Sequence, residues 1–459
     1  MSQSSDPAPE NSLPSEEETK LLAQLRANPI FAARFQVLMD RFEEEVAAGM
    51  DAHEAEEMVI AELDGLGKSI LGQWAENTHA KSLDEARADD STLVKSGKKK
   101  LRWYTIFGTL EVNEQVLRRG RRGTVFRPFR ENIGVAHRTC STPLKRRISD
   151  FGAERSGRST VDALQEHYRI EVPLYTVDKV VRETARRAGA YNSECPAGES
   201  AAPVQVGGTD GSMVPIVDFK RVGEVSDLEK KADKRKRREC QWKEIRVCTV
   251  HDPRRADTYY GASFGGLLET ELMMRATSEQ CGMDENTHIH AVGDGATWIA
   301  EAYERQFGTQ SAYLVDFFHV CEYLAEAAES CAGTNPTPAK RKKWIERQKQ
   351  WLKQNRAGQV LRNLKKHLEP ADVADENAPV RRCWRYLNNR RDQLDYKGAL
   401  EKNLPIGSGE TESAHRHLIQ RRLKLPGAWW KRETASDMAQ LRVTRANGNW
   451  NDLWSKKAA

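Results

Sequence analysis

No apolar run in this 459-residue chain approaches the roughly 20 residues that span a bilayer, and its first residues, MSQSSDPAPENS, hold no apolar core of the kind a secretory signal needs. A membrane-spanning or exported protein is thereby set aside, and a cytoplasmic one is expected. The eight cysteines, at 140, 195, 240, 248, 281, 321, 331 and 383, include no CxxC pair. Their spacing excludes a zinc ribbon and a dense disulfide framework, so reduced thiols are expected. Charge of one sign is scarce at two places. Residues 1–64 carry only 4 basic residues against 15 acidic, and residues 98–147 only 3 acidic against 14 basic, although the whole chain sums to +5. The basic segment implies either a polyanionic partner or a solvated cationic face, and the acidic one would shield it or meet another protein. A chain of this length should hold two to four domains.

The most informative stretch is HIHAVGDGATWIAEAYERQFGTQSAYLVDFFHV, which begins at His288. Ile289 and Val292 lead to Asp294, Gly295 interrupts, Trp298, Ile299, Ala302 and Tyr303 recur at helical spacing, and Tyr313 to Val315 run into Asp316. This reads as strand, helix, strand, with an aspartate closing each strand. Open α/β sheets put their chemistry at that edge; alternatively each Asp simply caps the helix that follows. Upstream, VQVGGTDGSMVPIVDF repeats the pattern, with Val204 and Val206 leading to Asp210 and Gly211. With strands expected over 242–250 and 258–264, the order is three antiparallel strands, then strand, helix, strand, which is the ribonuclease-H-like topology.

Before this core, Leu21, Leu22, Leu25, Phe31, Phe35, Leu38 and Phe42 suggest helices, and Met58, Leu63, Leu66, Ile70 and Trp74 another, all expected as helix-packing positions. The segment KKKLRWYTIFGTLEVNEQVLRRGRRGTVFRPF alternates like a β-ribbon, with Arg118, Arg119, Arg121 and Arg122 at the expected turn, where they could track phosphates. Residues 144–151, 159–168 and 176–188 read as short helices, with Ser159 and Thr176 as N-caps. Lys179, Arg182, Arg186 and Arg187 on the last of them suit a helix-turn-helix, and a plain helical bundle is the alternative. The basic stretch at 229–240 is either in contact with DNA or merely solvated. Residues 336–404 read as a helical insertion, with Trp344, Trp351, Leu352, Val360, Leu361, Leu364 and Leu368 on one face. After it, NLPIGSGETESAHRHLIQRRLKLPGAWW opens a helix with Glu410 and Glu412 in its first turn, where carboxylates also suit the helix dipole.

Asp210 in TDGSMVP, Asp294 in GDGATWI, the DFFH run of Asp316 and His319, and GSGETES followed by HRHLIQRRLKLPGAWW resemble the Mutator-like DDE transposases of bacterial insertion sequences, closest to the Kra-type lineage, over about residues 100–455. The resemblance implies a multidomain α+β and α/β protein. Its parts would be an acidic helical region (1–95), a basic β-ribbon (96–143), a helix-turn-helix (144–192), a ribonuclease-H-like core (203–335), the helical insertion (336–404) and the final Glu helix with its tail (405–459). It further implies a metal-binding triad of Asp210, Asp294 and a glutamate at 410 or 412, with Asp316 and His319 shaping the site. The cofactor would be two Mg²⁺ ions, with Mn²⁺ as a substitute, because hard cations take carboxylate oxygens and a pair of them can serve both oxygens of an in-line phosphoryl displacement. The partners would be double-stranded DNA, as element ends and as target, and further copies of the chain as a homodimer or higher oligomer at the nucleoid. A metal-dependent nuclease or resolvase would share the triad. A DNA-binding protein descended from an inactive transposase would keep only the helix-turn-helix.

Between the two glutamates, helix geometry favours Glu412. At about 100° per residue they point roughly 200° apart, so only one can face the aspartates. Glu412 shares its side with Arg416 and apolar Ile419, Glu410 with Ser413, Ala414 and His417. The packed side is therefore expected to be that of Glu412.

Overall fold

The computed structural model describes residues 15–120, 123–198, 200–219 and 238–455. Arg121, Arg122 and most of the basic stretch at 229–240 lie outside them. The chain divides into two compact units, one comprising residues 1–152 and 157–178, the other 153–156 and 179–459.

The first unit opens with helices α1 (Glu16–Ala27), α2 (Pro29–Ala48) and α3 (Ala52–Asp89). Ser15 and Asp51 start α1 and α3 with capping boxes, each closed by a glutamate three residues on. Of the expected packing positions Met58 is buried and Leu25, Phe31, Leu38 and Leu66 are half-buried, but the others are not packed: Leu21, Phe42 and Leu63 are 55%, 48% and 54% exposed, and Leu22, Phe35, Ile70 and Trp74 are also exposed. Periodicity identifies an apolar face but not whether the chain itself has anything to cover it. Strands β1 (Leu93–Thr105) and β2 (Gly108–Arg119) form an antiparallel hairpin, extended by β3 (Val125–Phe126) and β4 (Thr139–Cys140) into a sheet ordered β3-β2-β1-β4. Ala75 of α3 joins Leu101, Val112 and Phe129 in a small core, so one sheet face is covered rather than free. The hairpin turns at Ile106–Phe107, where Gly108 has φ +96°, and not at the arginines. Arg118 and Arg119 instead end β2. Helices α4 (Pro128–Ile133), α5 (Thr142–Glu154), α6 (Gly157–Tyr168) and α7 (Leu174–Ser193) follow in the chain, of which residues 153–154 of α5 and 179–193 of α7 belong to the second unit. Three of them start earlier than expected: α5 begins at Thr142, α6 at Gly157 and α7 at Leu174, so Ser159 and Thr176 lie inside helices and are not their N-caps.

The second unit is built on a sheet of β5 (Val204–Phe219), β6 (Arg238–His251), β7 (Thr258–Ser263), β8 (His288–Gly293) and β9 (Ser311–Val315). Its order is β7-β6-β5-β8-β9; the first three strands in sequence pair antiparallel, and β8 and β9 add parallel to β5. Helix α8 (Leu267–Gln280), unforeseen in the sequence, links β7 to β8, and α9 (Thr297–Phe307) makes the parallel crossover to β9. Strand β5 does not end at Asp210. It runs nine residues further, paired with β6 as far as Phe219, while its pairing with β8 stops at Gly208. Asp210 therefore sits where a two-sided strand becomes an edge.

Two adjacent glycines set the depth of the layers. Successive residues of a strand face opposite sides. A Cβ on Gly207 would lie 2.8 Å from Tyr303 Oη of α9, and one on Gly208 would lie 2.1 Å from Thr411 Oγ1. Helices thus approach both faces of β5 as closely as backbone allows. After β9 come α10 (Phe317–Cys331) and the helices α11 (Pro338–Lys353), α12 (Ala357–Lys365), α13 (Pro379–Asn388) and α14 (Tyr396–Glu401). Trp344, Leu352, Val360, Leu361 and Leu364 pack into one core with Val320 and Leu324 of α10, as the apolar face at 344–368 predicts. The chain closes with α15 (Gly409–Ala414), a π-helical stretch His415–Gln420, one more turn to Leu423, and the helices α16 (Arg432–Ala446) and α17 (Trp450–Leu453).

Candidate active site

Asp210 shares the face of Gly208, the one that α15 crosses, because the two are separated by one strand period. Asp294 is the first residue beyond β8, and Asp316 the first beyond β9. Together with His319, Glu322 and Glu412 these carboxylates line a cleft of about 210 Å³. Three acids that lie 84 and 118 residues apart in sequence, Asp210, Asp294 and Glu412, thus meet in one place.

The two glutamates of α15 part company. Glu412 lines the cleft, whereas Glu410 Oε2 lies 2.6 Å from His251 Nδ1, away from it. The face argument from sequence does not describe the helix, since both glutamates are exposed and the packed residues are Thr411, Ala414, His415, Leu418 and Ile419. A π-helical turn at 415–420 breaks the 100° rule, and such turns recur at functional sites. Buried Arg442 of α16 serves its carbonyls: Nε donates to Leu418 O at 2.7 Å and Nη2 to His417 O, while Nη1 meets Glu154 at 3.0 Å.

The π turn also brings His415, which the sequence reading missed, 3.3 Å from Asp210 Oδ2 through Nε2. Burial pushes the Asp210 carboxyl up, but His415, the Gly211 N–H and the charge of His319 outweigh it, leaving Asp210 below the usual carboxylate range. These contacts favour the carboxylate form of Asp210.

Asp294 is held from behind. Tyr386 Oη of α13 donates to the Asp294 carbonyl at 2.5 Å, Arg390 Nε to the Gly295 carbonyl at 2.7 Å, and the Gly295 N–H donates to Tyr313 Oη at 3.1 Å. Burial pushes both tyrosines well above their ordinary range, so both keep their phenolic protons. The helical insertion is thus a clamp on the loop that carries Asp294. Gly295 has φ +83°, and a Cβ there would lie 2.6 Å from Tyr386 Oη and 2.7 Å from Arg390 Nε. Gly295→Ala is therefore expected to cost about 1–3 kcal/mol and to lower the thermal unfolding midpoint by several degrees. An unchanged midpoint by calorimetry would show that the clamp does not depend on this conformation.

Asp316 caps the helix that follows it. It is 4% exposed and caps α10, accepting from the N–H groups of Phe318 (2.6 Å) and His319 (3.3 Å), while its other oxygen takes the N–H and hydroxyl of Ser408 at 2.8 and 2.5 Å. With its oxygens so occupied, Asp316 ties α10 to the entry of α15 and shapes the cleft. His319 Nδ1 is 3.1 Å from Glu322 Oε2.

Of the expected DNA-contacting cations, several are engaged within the chain. Arg119 pairs with Asp90, Lys179 with Glu183 at 3.8 Å and Arg186 with Asp437 at 3.5 Å, and Arg187 stacks over the Trp454 ring, 4.4 Å from its centroid. Arg182 is exposed and, among the described residues, in no ion pair. Arg182→Ala is expected to weaken binding to duplex DNA and to reduce the slope of log affinity against log salt by about 1, as loss of one phosphate contact should. An unchanged slope in fluorescence titrations would remove α7 from the interface.

Among the described residues no group of three or more His, Cys, Asp or Glu side chains is placed to hold a metal ion by itself. Mg²⁺ keeps much of its water and is bound by one or two carboxylates together with substrate phosphate, so Asp210, Asp294 and Glu412 are the residues that would hold it.

Residues 276–457 match UPF0236, an uncharacterised protein family; the match includes Asp294, Asp316, His319 and Glu412 but not Asp210. No curated protein matches the chain. Among solved structures, the Drosophila P element transposase strand transfer complex aligns with 72% of this chain and 84% of its own, at 8% identity and a TM-score of 0.27, too low for the likeness to bear on fold or function.

Proposed function

We propose that the chain is a DNA transposase of the Mutator-like DDE group, with a ribonuclease-H-like core, that cleaves phosphodiester bonds at the ends of its element and joins the freed 3′-hydroxyls to target DNA. The observation that carries this reading is the meeting of Asp210, Asp294 and Glu412 in one cleft, on a sheet whose strand order is three antiparallel followed by two parallel. Phosphodiester transfer needs negative charge neutralised on the phosphate and an oxygen nucleophile activated, which two bound Mg²⁺ ions would supply. The chain's own part is to present carboxylate oxygens at fixed positions. His415 orients Asp210, the Tyr386–Arg390 clamp orients the Asp294 loop, and Asp316 fixes the start of the helix that bears Glu412. Exposed cations such as Arg182 would supply sequence-independent affinity.

Incubation of the purified protein in Mg²⁺ with duplexes taken from both flanks of its own reading frame tests this. Nicks with 3′-hydroxyl ends and products joined to a second DNA are expected. Cutting without joining would replace the reading with a nuclease, and binding without cutting would replace it with a DNA-binding derivative.

A further inference from the structure

The D-F-F-H run sends its two phenylalanines in opposite directions. Phe317 is 3% exposed in the core, whereas Phe318, one residue on, is 65% exposed and lines the carboxylate cleft. Most of this apolar ring is left bare amid acids in the free protein. Yet it is firmly mounted. Its N–H donates to Asp316 Oδ1, its ring meets Phe317 edge-on with centroids 5.9 Å apart, and it rests on Gly407, where a Cβ would lie 2.6 Å from the ring. Any side chain at 407 would displace it, so the glycine serves the ring as well as the loop.

We propose that Phe318 is a stacking platform for an unpaired nucleobase next to the scissile phosphate. The inference rests on the reading that a phosphodiester occupies this cleft. A strand with its phosphate at Asp210, Asp294 and Glu412 carries only three kinds of group past the cleft wall: phosphate, sugar and base. The base alone is planar and apolar on its faces, and every base has such a face, which makes aromatic stacking tolerant of sequence. A base paired inside a duplex has both faces covered by its neighbours. Stacking on Phe318 therefore means that one nucleotide beside the cut leaves the helix, as happens where enzymes expose a base to a pocket. A preorganised ring lowers the cost of holding that nucleotide, so part of the energy for opening the strand end comes from Phe318.

Duplexes from the flanks of the reading frame, carrying 5-iododeoxyuridine at single positions around the cut, are bound in Ca²⁺ and irradiated, and the cross-linked peptide is identified by mass spectrometry. The cross-link is expected on Phe318 from one or two positions adjacent to the cut. In Mg²⁺, Phe318→Ala should cut intact duplex about tenfold more slowly, Phe318→Trp should restore the rate, and Phe318→Leu, apolar but not planar, should not. Placing an abasic site at the cross-linking position should erase most of the difference between wild type and Phe318→Ala. Cross-links that fall elsewhere in the cleft, or an Ala defect unchanged on abasic DNA, would overturn the stacking role while leaving the transposase reading intact. A wild-type protein that neither binds nor cuts these duplexes would overturn both.

Discussion

Asp210→Asn and Asp294→Asn are each expected to lower strand cleavage by about 10³-fold or more while leaving DNA binding nearly unchanged. Each replacement keeps the shape of the side chain and removes one negative charge. An amide oxygen at 294 can still accept the Ala296 N–H that Asp294 Oδ1 takes at 2.8 Å, and one at 210 can still accept from Gly211, so the backbone around each residue is preserved. What is lost is a charged ligand for a divalent cation, whose stabilisation of the transition state amounts to several kcal/mol at 1.36 kcal/mol per tenfold in rate. Affinity for DNA comes from phosphate contacts elsewhere and should persist. Single-turnover cleavage in Mg²⁺ beside a binding titration measures both quantities. If either variant, folded by circular dichroism, cuts at the wild-type rate, the proposed triad is wrong.

Glu412→Gln should eliminate both cleavage and joining, whereas Glu410→Gln should keep most activity. The two side chains are two residues apart on α15 but meet different surroundings: Glu412 faces the cleft of Asp210 and Asp294, and Glu410 sits against His251. Removing charge at 412 would leave the cleft with two of three anionic ligands. Removing it at 410 would change only the contact of an exposed Glu410 with His251, with no ligand lost. The readout is the ratio of the two variants on one pre-cleaved end, which isolates joining from cutting. A dead Glu410→Gln together with a Glu412→Gln that still joins strands would reverse the assignment.

Much of the second unit was legible before any coordinates. Strands ending at Gly293 and Val315, the helix between them, and the apolar face from Trp344 to Leu364 follow from periodicity, because a half-buried or buried element repeats its apolar residues at the spacing of its own backbone. The same logic misled at the N-terminus. Leu21, Phe42 and Leu63 mark apolar faces correctly, yet what covers a face is a long-range fact that spacing does not contain. It misled again at Asp210, where an Asp-Gly pair looked like a strand end and is the interior of β5, since pairing with β6 continues past it.

The candidate site divides along the same line. The sequence by itself determined which carboxylates were available, their order along the chain and the strands beside Asp210 and Asp294, since these depend on neighbours a few residues away. Only the tertiary structure decided that Glu412 rather than Glu410 enters the cleft, that His415 stands against Asp210, that Tyr386 and Arg390 hold the loop of Asp294, and that Phe318 is bare while Phe317 is not. Each of these turns on a meeting between residues far apart in the chain, or on a π-helical turn whose carbonyls are served by a distant arginine. Local pattern sets what an element is; which of its side chains faces another element is set by how closely the two can pack, here down to the missing Cβ atoms of Gly207 and Gly208.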